Sequence, residues 1–560
     1  MTGVRGRRGR LPSLLASALT VALLLSCTGP GNGPAGGKDL AVAAVDGSPV
    51  PVASGPAAAQ RETTGPSPPD EQLRAQRTAS PPPEPPASRA RVQAEAQAML
   101  AGLLDRRDGE QVVVLVVDEH GREIVAHDPD HAVLPASTLK VVTAAAALIT
   151  FGPQARFTTR IESTAPIDAD GVIRGDLHLI GTGDPVLATP EYGRWIYPAR
   201  PRTPFESLAE QLAAAGVQRV EGDVVGLVER FDGPRVADGW PDRYFSSFDA
   251  RYADGLAVDA GVRTILTYPA EEDADGDDAA GDGAEAVGGT DGGAVEADTE
   301  DRDQPTGPPD VRIEHTREPA EHAVAELIRL LEEVDIEVAG AARVGDPLHA
   351  PIGRIAVVSS PPLEEILRFA VQRSDNQVTD AVFRAVGRQR TGTGSFASGE
   401  RALKQVLEGL GIDPAGAVFA DGSGLSRDDR LTARMLVDLD RAMLRGRHAP
   451  TWRSLMAVMG ESGTLASRLS GTVAAGRFEG KTGTLRDVAA LSGTVIGPDD
   501  RRYHLAVVAH AQGQARWLSR VFVDELVMLL AADLQGCEVR SPAEDADDGP
   551  LGRPPVRVSC

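Results

Sequence analysis

Apolar and polar positions change rhythm several times along the chain. "RVQAEAQAMLAGLLDR", from Arg91, repeats apolar residues at helical spacing. "QVVVLVVDE" and "REIVAHD" follow as two apolar runs around a turn at Gly121, which predicts a strand pair. In "HAVLPASTLKVVTAAAALITFG" Pro135 precedes an Ala-rich apolar run, which predicts a buried helix opening close to Ser137. Between about 155 and 350 only short strand-like runs occur, such as "GVIRGDLHLIG" and "VEGDVVGLVERF". From about 355 the spacing turns helical in "PPLEEILRFAVQRS", "QVTDAVFRAVG", "GERALKQVLEGLG" and "TARMLVDLDRAML". Strand patterns return in "GRFEGKTGT", "DVAALSGTVIG" and "RYHLAVVAHA", and "ARWLSRVFVDELVMLLAADL" closes the pattern as an amphipathic helix. Strands at both ends with helices between predict an α/β (α+β) domain whose sheet takes its edges from distant parts of the chain. No internal repeat is evident.

The N-terminal region breaks this pattern. Arg5, Arg7, Arg8 and Arg10 precede "LPSLLASALTVALLLSC", a basic region and a short apolar run that read as a secretory signal over 1–27. "LLSC" resembles a bacterial lipoprotein box with Cys27 as the lipid-bearing residue; plain signal cleavage and an uncleaved anchor are the alternatives. Each places the body outside the cytoplasm. Residues 28–88, rich in Pro, Gly, Ala and Ser, read as a tether that reaches roughly 190 Å at about 3.1 Å per residue when extended. The formal charge of −24 excludes nucleic acid as a natural partner. Much of it sits in Glu271–Pro309, with 14 acids, one Arg and no aromatic residue. Such a segment cannot bury enough apolar surface to fold, and it reads as a solvated acidic loop without a spaced calcium-binding pattern. Behind Cys27 only Cys537 and Cys560 remain. They lack a His-paired nucleophile context and fit a disulfide stapling the 536–560 tail.

Two residue types are used so rarely that their exceptions stand out. Asn occurs twice, at Asn32 and Asn376, and Lys accounts for four of 57 basic residues: Lys38, Lys140, Lys404 and Lys481. Arg replaces Lys as a surface cation, but not where an amine must lose its proton. Lys38 falls in the tether and Lys404 on a helix surface. Lys140 closes "STLK", three residues after Ser137, which puts a hydroxyl and an amine on one helix face. Burial lowers the amine's pKa and the helix start favours a developing oxyanion, so Lys140 can activate Ser137 as a nucleophile. The bland alternative is a capping serine and a snorkelling lysine. "SDN", Ser374–Asn376, offers a hydroxyl and an amide that both donates and accepts, or simply a helix-capping turn. "KTGT" lies on a strand pattern. Lys481 and Thr482 can bind a carboxylate there, and Gly483 lets a substrate backbone come close.

S-x-x-K, S-D-N and K-T-G in this order are the signature of penicillin-binding proteins and class A β-lactamases. The wider text resembles the class C low-molecular-mass penicillin-binding proteins, the D-Ala-D-Ala carboxypeptidase/endopeptidases of peptidase family S13. "PASTLKVVTAAAALITFG", "DGVIRGDLHLIGTGDPVL", "RSDNQVTDAVFRAVG", "ADGSGLSRDDRLT", "ESGTLASRL" and "GKTGTLRDVAALSGTV" all resemble that family's blocks, over roughly 89–535. The resemblance implies a penicillin-binding/β-lactamase-like transpeptidase domain, an antiparallel sheet with helices on both sides, made of 89–165 and 351–535. A mainly β domain, 166–350, is inserted after the first motif. It implies Ser137 as the acylated nucleophile, Lys140 as its base and Ser374 as the proton relay to the leaving amine. Asn376 would hold the lysine and the substrate amide, and Lys481, Thr482, Gly483 and Thr484 would line the carboxylate end. The amides of Ser137 and Thr484 would form the oxyanion hole. It implies no cofactor and no metal, peptidoglycan stem peptides as substrates and β-lactams as inhibitors. "DGSGLS" reads as a supporting turn. "GWPDRYFSSFDARYADG" does not align with the family without gaps, so no side-chain-reading acid is carried over.

Rival readings use the same residues. A β-lactamase needs a deacylating base, and no E-x-x-L-N lies between Ser374 and Lys481. A penicillin sensor would acylate without turnover. "HDPDH", His127–His131, is better explained as a strand-to-helix turn than as a metal site, since no H-E-x-x-H occurs.

Overall fold

A computed structural model describes residues 87–105, 111–228, 231–267, 309–346, 348–499, 501–511, 513–540, 550–551 and 557–560. The signal, Cys27, the tether through residue 86 and acidic residues 271–308 lie outside them.

The chain begins with α1 (Ala87–Leu104), the pair β1 (Gln111–Asp118) and β2 (Glu123–His127), and α2 (Lys140–Phe151). Next come β3 (Thr158–Ser163), β4 (Leu177–Gly181), α3 (Glu206–Ala214), β5 (Val224–Leu227), β6 (Val262–Thr267), β7 (Asp310–His315), α4 (Pro319–Glu332), β8 (Ala342–Val344) and β9 (Gly353–Ser359). A helical stretch follows: α5 (Leu363–Arg373), α6 (Asn376–Thr391), α7 (Phe396–Gly409) and α8 (Ala433–Arg445). The last strands are β10 (Ala457–Val458), β11 (Phe478–Leu485), β12 (Val488–Ile496) and β13 (Arg502–His510), and then α9 (Gly513–Leu534), β14 (Glu538–Arg540) and β15 (Arg557–Ser559).

The main sheet runs β10-β11-β12-β13-β1-β2 and is antiparallel throughout. β1 shows why both faces are covered. Val113, Leu115 and Val117 point into one core with α2, α6, α7 and α8; Val112, Val114 and Val116 point into another with α1 and α9. A strand with two buried faces reads as an unbroken apolar run, as "QVVVLVV" does. β1 and β13 pair from Gln111↔His510 to Asp118↔Tyr503, joining the two ends of the fold.

The second sheet runs β8-β5-β4-β3-β9 and packs with α3 and α4 around its own core. Edge strand β9 and its neighbour β3 lie outside 166–350, one on either side, and pair with each other. The insertion is not a separate appendage. Residues 231–254 leave it as a strap, and Ala237, Trp240, Tyr244 and Ala250 are buried in the core of the main domain. β6 and β7 pair antiparallel from Val262↔His315 to Thr267↔Asp310, so the acidic segment joins the far end of this hairpin. Cys537 and Cys560 form the expected disulfide, beside the β14–β15 pair.

Candidate active site

Ser137 lies in a 3-10 turn, Ala136–Leu139, that leads into α2 at Lys140. The expected α-helical start is thus a tighter turn. Ala136 holds φ 49° just before the nucleophile, and Thr138 Oγ1 donates to Pro135 O at 2.7 Å. Residues three apart eclipse in 3-10 geometry, so the amine stands over the hydroxyl. Lys140 Nζ donates to Ser137 Oγ at 3.0 Å, to Asn376 Oδ1 at 2.6 Å and to the Ser423 carbonyl at 2.6 Å.

The "SDN" stretch is both a cap and a site. Ser374 ends α5 with φ 60°, and Asp375 caps α6 by accepting from Val378 N at 2.9 Å. That bend presents Ser374 Oγ to Lys481 Nζ at 3.0 Å while Asn376, the first residue of α6, faces Lys140. Asn376 Nδ2 donates to the Asp249 carbonyl of the strap at 2.9 Å. Phe248, just before it, holds φ 59° and stacks on His315 at 4.1 Å between ring centroids; His315 Nε2 also lies 2.6 Å from Phe245 O. Residues 245–249 and His315 therefore support the second motif directly.

Lys481 and Gly483 are buried on β11, and Lys481 Nζ also donates to Thr482 O at 2.8 Å. Thr482 Oγ1 bonds Thr464 Oγ1 at 2.8 Å. What comes close to Gly483 is the nucleophile's own turn. A Cβ there would lie 2.9 Å from Pro135 O and 3.0 Å from Ala490 Cβ. Gly424, at φ 82°, does the same from the other side, since a Cβ would meet Ala136 O at 2.0 Å. The two glycines let "KTG" and "DGSG" clamp the turn that carries Ser137. Ser137, Ser374, Thr464, Thr482, Gly483 and Thr484 line one cleft of about 420 Å³.

Burial shifts both amines. Lys140 is lowered to about 8, chiefly by desolvation, against the opposing pull of Asp380, Asp421, Asp375 and Asp429. Lys481 is lowered well below its usual range by desolvation and by the nearby charge of Lys140. Beneath Lys140, Asp421 accepts from the N–H groups of Ser423, Gly424 and Ser426 and from Trp240 Nε1 at 2.6–2.9 Å. This fixes the carbonyl of Ser423 against the lysine. Burial and the Asp421 charge push Asp380 and Asp429 well above the carboxylate range.

All five expected catalytic residues meet at this cleft with Thr482, Gly483 and Thr484; Cys27 lies outside the described residues. Lys404 pairs with Glu400 on α7, a surface role. Sequence reasoning missed the carbonyls of Ser423 and Asp249, which carry no side-chain signal. It quoted but did not use Thr464, in "ESGTLASRL". Among the described residues no group of His, Cys, Asp and Glu is placed to hold a metal.

The sequence profile described as the D-Ala-D-Ala carboxypeptidase 3 (S13) family matches residues 96–517. A D-alanyl-D-alanine carboxypeptidase of Actinomadura sp. (strain R39) is 33% identical over 69% of this chain and 75% of its own. A carboxypeptidase of Mycobacterium tuberculosis is 29% identical over 70% of this chain and 74% of its own. The solved penicillin binding protein 4 (dacB) of Haemophilus influenzae superposes with a TM-score of 0.61 at 19% identity, over 77% of this chain and 99% of that one, which shows a shared fold.

Proposed function

The chain belongs to the D-Ala-D-Ala carboxypeptidase 3 (S13) family and is a serine-type DD-peptidase acting on peptidoglycan; from that premise we propose how its residues divide the work. Lys140, as the free amine, takes the proton of Ser137 Oγ while the oxygen attacks the carbonyl of the penultimate D-Ala. The amides of Ser137 and Thr484 hold the oxyanion. Collapse breaks the peptide bond; Ser374 gives its proton to the leaving amine and recovers one through the lysines. Water, deprotonated by Lys140, then hydrolyses the Ser137 ester. Asn376 holds Lys140 and the substrate amide, while Lys481, Thr482 and Thr484 receive the carboxylate. A β-lactam enters the same path and stays on Ser137 as an ester.

The observation that carries this reading is the 3.0 Å contact from the fully buried Lys140 Nζ to Ser137 Oγ at the cleft. Mass spectrometry of the penicillin-treated protein tests it: one adduct is expected on the peptide bearing Ser137, and an adduct elsewhere or none sinks it.

A cell-wall peptidase acts outside the cytoplasm, and among the described residues no helix is long and apolar enough to cross a membrane. We further propose a lipid anchor on Cys27, supported by "LLSC" and the tether behind it. Cys27→Ala should move the protein from the membrane to the soluble exported fraction; wild-type protein already soluble there overturns the anchor.

A further inference from the structure

The reacting cleft carries the opposite charge to the chain. The part lined by Ser374, Thr464 and Thr482 is also lined by Arg468, Arg516, Trp517 and Arg520. Among the described residues no carboxylate side chain lines that part, although the chain has a net charge of −24. Arg468 is held by Asp524. Among the described residues Arg516 and Arg520 make no salt bridge, and Arg520 lies in electrostatic reach of Asp524 and Arg468; Arg516 Nη1 donates to Leu485 O at 2.9 Å, which fixes its head beside the end of β11. Arg516 and Arg520 are four apart on α9, hence on one face, and Trp517 between them is 50% exposed.

This wall stands on the leaving-group side. Thr482, a carboxylate ligand, lines it together with Trp517 and Arg520, whereas Asn376, which meets the acyl-donor amide, lines the other part of the cleft with Arg243, Asp249 and Arg486; Ser374, the relay to the leaving amine, and Arg516 stand where the two parts meet and line both. A single D-Ala leaves with one carboxylate, which Lys481, Thr482 and Thr484 already accommodate. About 420 Å³ is the scale of a ligand far larger than one alanine.

Resting on the assignments made above for Ser374 and Thr482, we propose that Arg516 and Arg520 bind a second carboxylate on a peptide leaving group, with Trp517 covering its stem. The enzyme is thereby biased toward cutting an interpeptide cross-link, whose leaving amine belongs to a longer acidic peptide, over releasing a terminal D-Ala. Guanidinium is suited to this because it pairs with carboxylates in two-point geometry and keeps its charge.

The test compares two synthetic substrates with one acyl donor: a D-Ala-D-Ala peptide, and a cross-linked dimer whose leaving strand carries a second free carboxylate. The full chain and the Arg520→Gln, Arg520→Glu and Arg516→Gln/Arg520→Gln variants are assayed. Wild type should favour the dimer. In the double variant kcat/KM for the dimer should fall roughly tenfold, mainly through KM, with Arg520→Glu at least as low. Cleavage of the D-Ala peptide and acylation by penicillin should be unchanged. Equal losses on both substrates, or no loss on the dimer in any variant, overturn the subsite. Penicillin labelling of Ser137 is read in the same samples, so failure of the underlying serine-lysine assignment shows up separately.

Discussion

Lys140 and Lys481 are both fully buried amines at one cleft, yet they are compensated in opposite ways. Lys140 has three acceptors and four carboxyl groups in electrostatic reach. Lys481 has a hydroxyl and a carbonyl as acceptors, and the charge that acts on it is the like charge of Lys140. A buried cation without a counter-charge is costly. Desolvation loosens the proton of Lys140 enough to be exchanged near neutral pH, while the acidic surroundings keep the cationic form within reach, which suits a base. Lys481 lacks a negative partner, and the substrate's carboxylate supplies one. One lysine is complete before substrate arrives; the other is completed by it.

The sharpest break in this comparison is Lys140→Arg, the exchange the chain has made at nearly every other basic position. Arginine keeps charge and stem but cannot act as a base. Acylation of Ser137 by a fluorescent penicillin should fall at least about a hundredfold, roughly 2.7 kcal/mol of barrier, with normal melting. Lys404→Arg is the silent control. Near wild-type labelling would remove Lys140 from the mechanism.

Lys481→Gln should cost less. It removes a charge-assisted contact worth about 1.5–3 kcal/mol, or roughly 10–100-fold in kcat/KM on peptides. The two variants should part in their pH profiles. Wild-type acylation should rise with pH and level off above an inflection near the value of about 8 held by Lys140, since only its neutral form is a base. That inflection should survive in Lys481→Gln and be absent in Lys140→Arg. A profile flat in wild type, or lost with Lys481, would reverse the two roles.

Asn376→Asp is the mildest change. It places an anion 2.6 Å from the amine, which raises the lysine's pKa and moves the inflection upward. It also removes the Nδ2 donor now shared with Asp249 O. Labelling should slow about tenfold at pH 7, with partial recovery at higher pH, since a lost hydrogen bond costs about 0.5–1.5 kcal/mol. An unchanged inflection would mean that this residue does not set the amine's electrostatics.

How legible this was in the sequence depended on which atoms do the work. Side chains that act by their own chemistry stood out: Lys140 and Lys481 against an arginine background, and Asn376 as one of two asparagines. Strand β1 was legible because two-sided burial writes an unbroken apolar run. The carbonyls of Ser423 and Asp249 were not, because any residue supplies a carbonyl and only the fold aims it. The strap was hidden for a related reason. Trp240 and Tyr244 look like residues of the insertion, and nothing local says that they are buried in the other domain. Gly483 was noticed but read as room for substrate, whereas its missing side chain makes room for the turn at Pro135.

The pairing of β1 with β13 bears on when this hydrolase can become active. The nucleophile's turn leans on β11, and β11 joins β1 only through β12 and β13. Residues 111–118 must therefore wait for 502–510, a separation of nearly 400 positions, before the sheet closes. Contacts this distant form late, after long loop closures. Until then the lysine of the third motif is not held against Ser374, so a partly folded chain has no complete site.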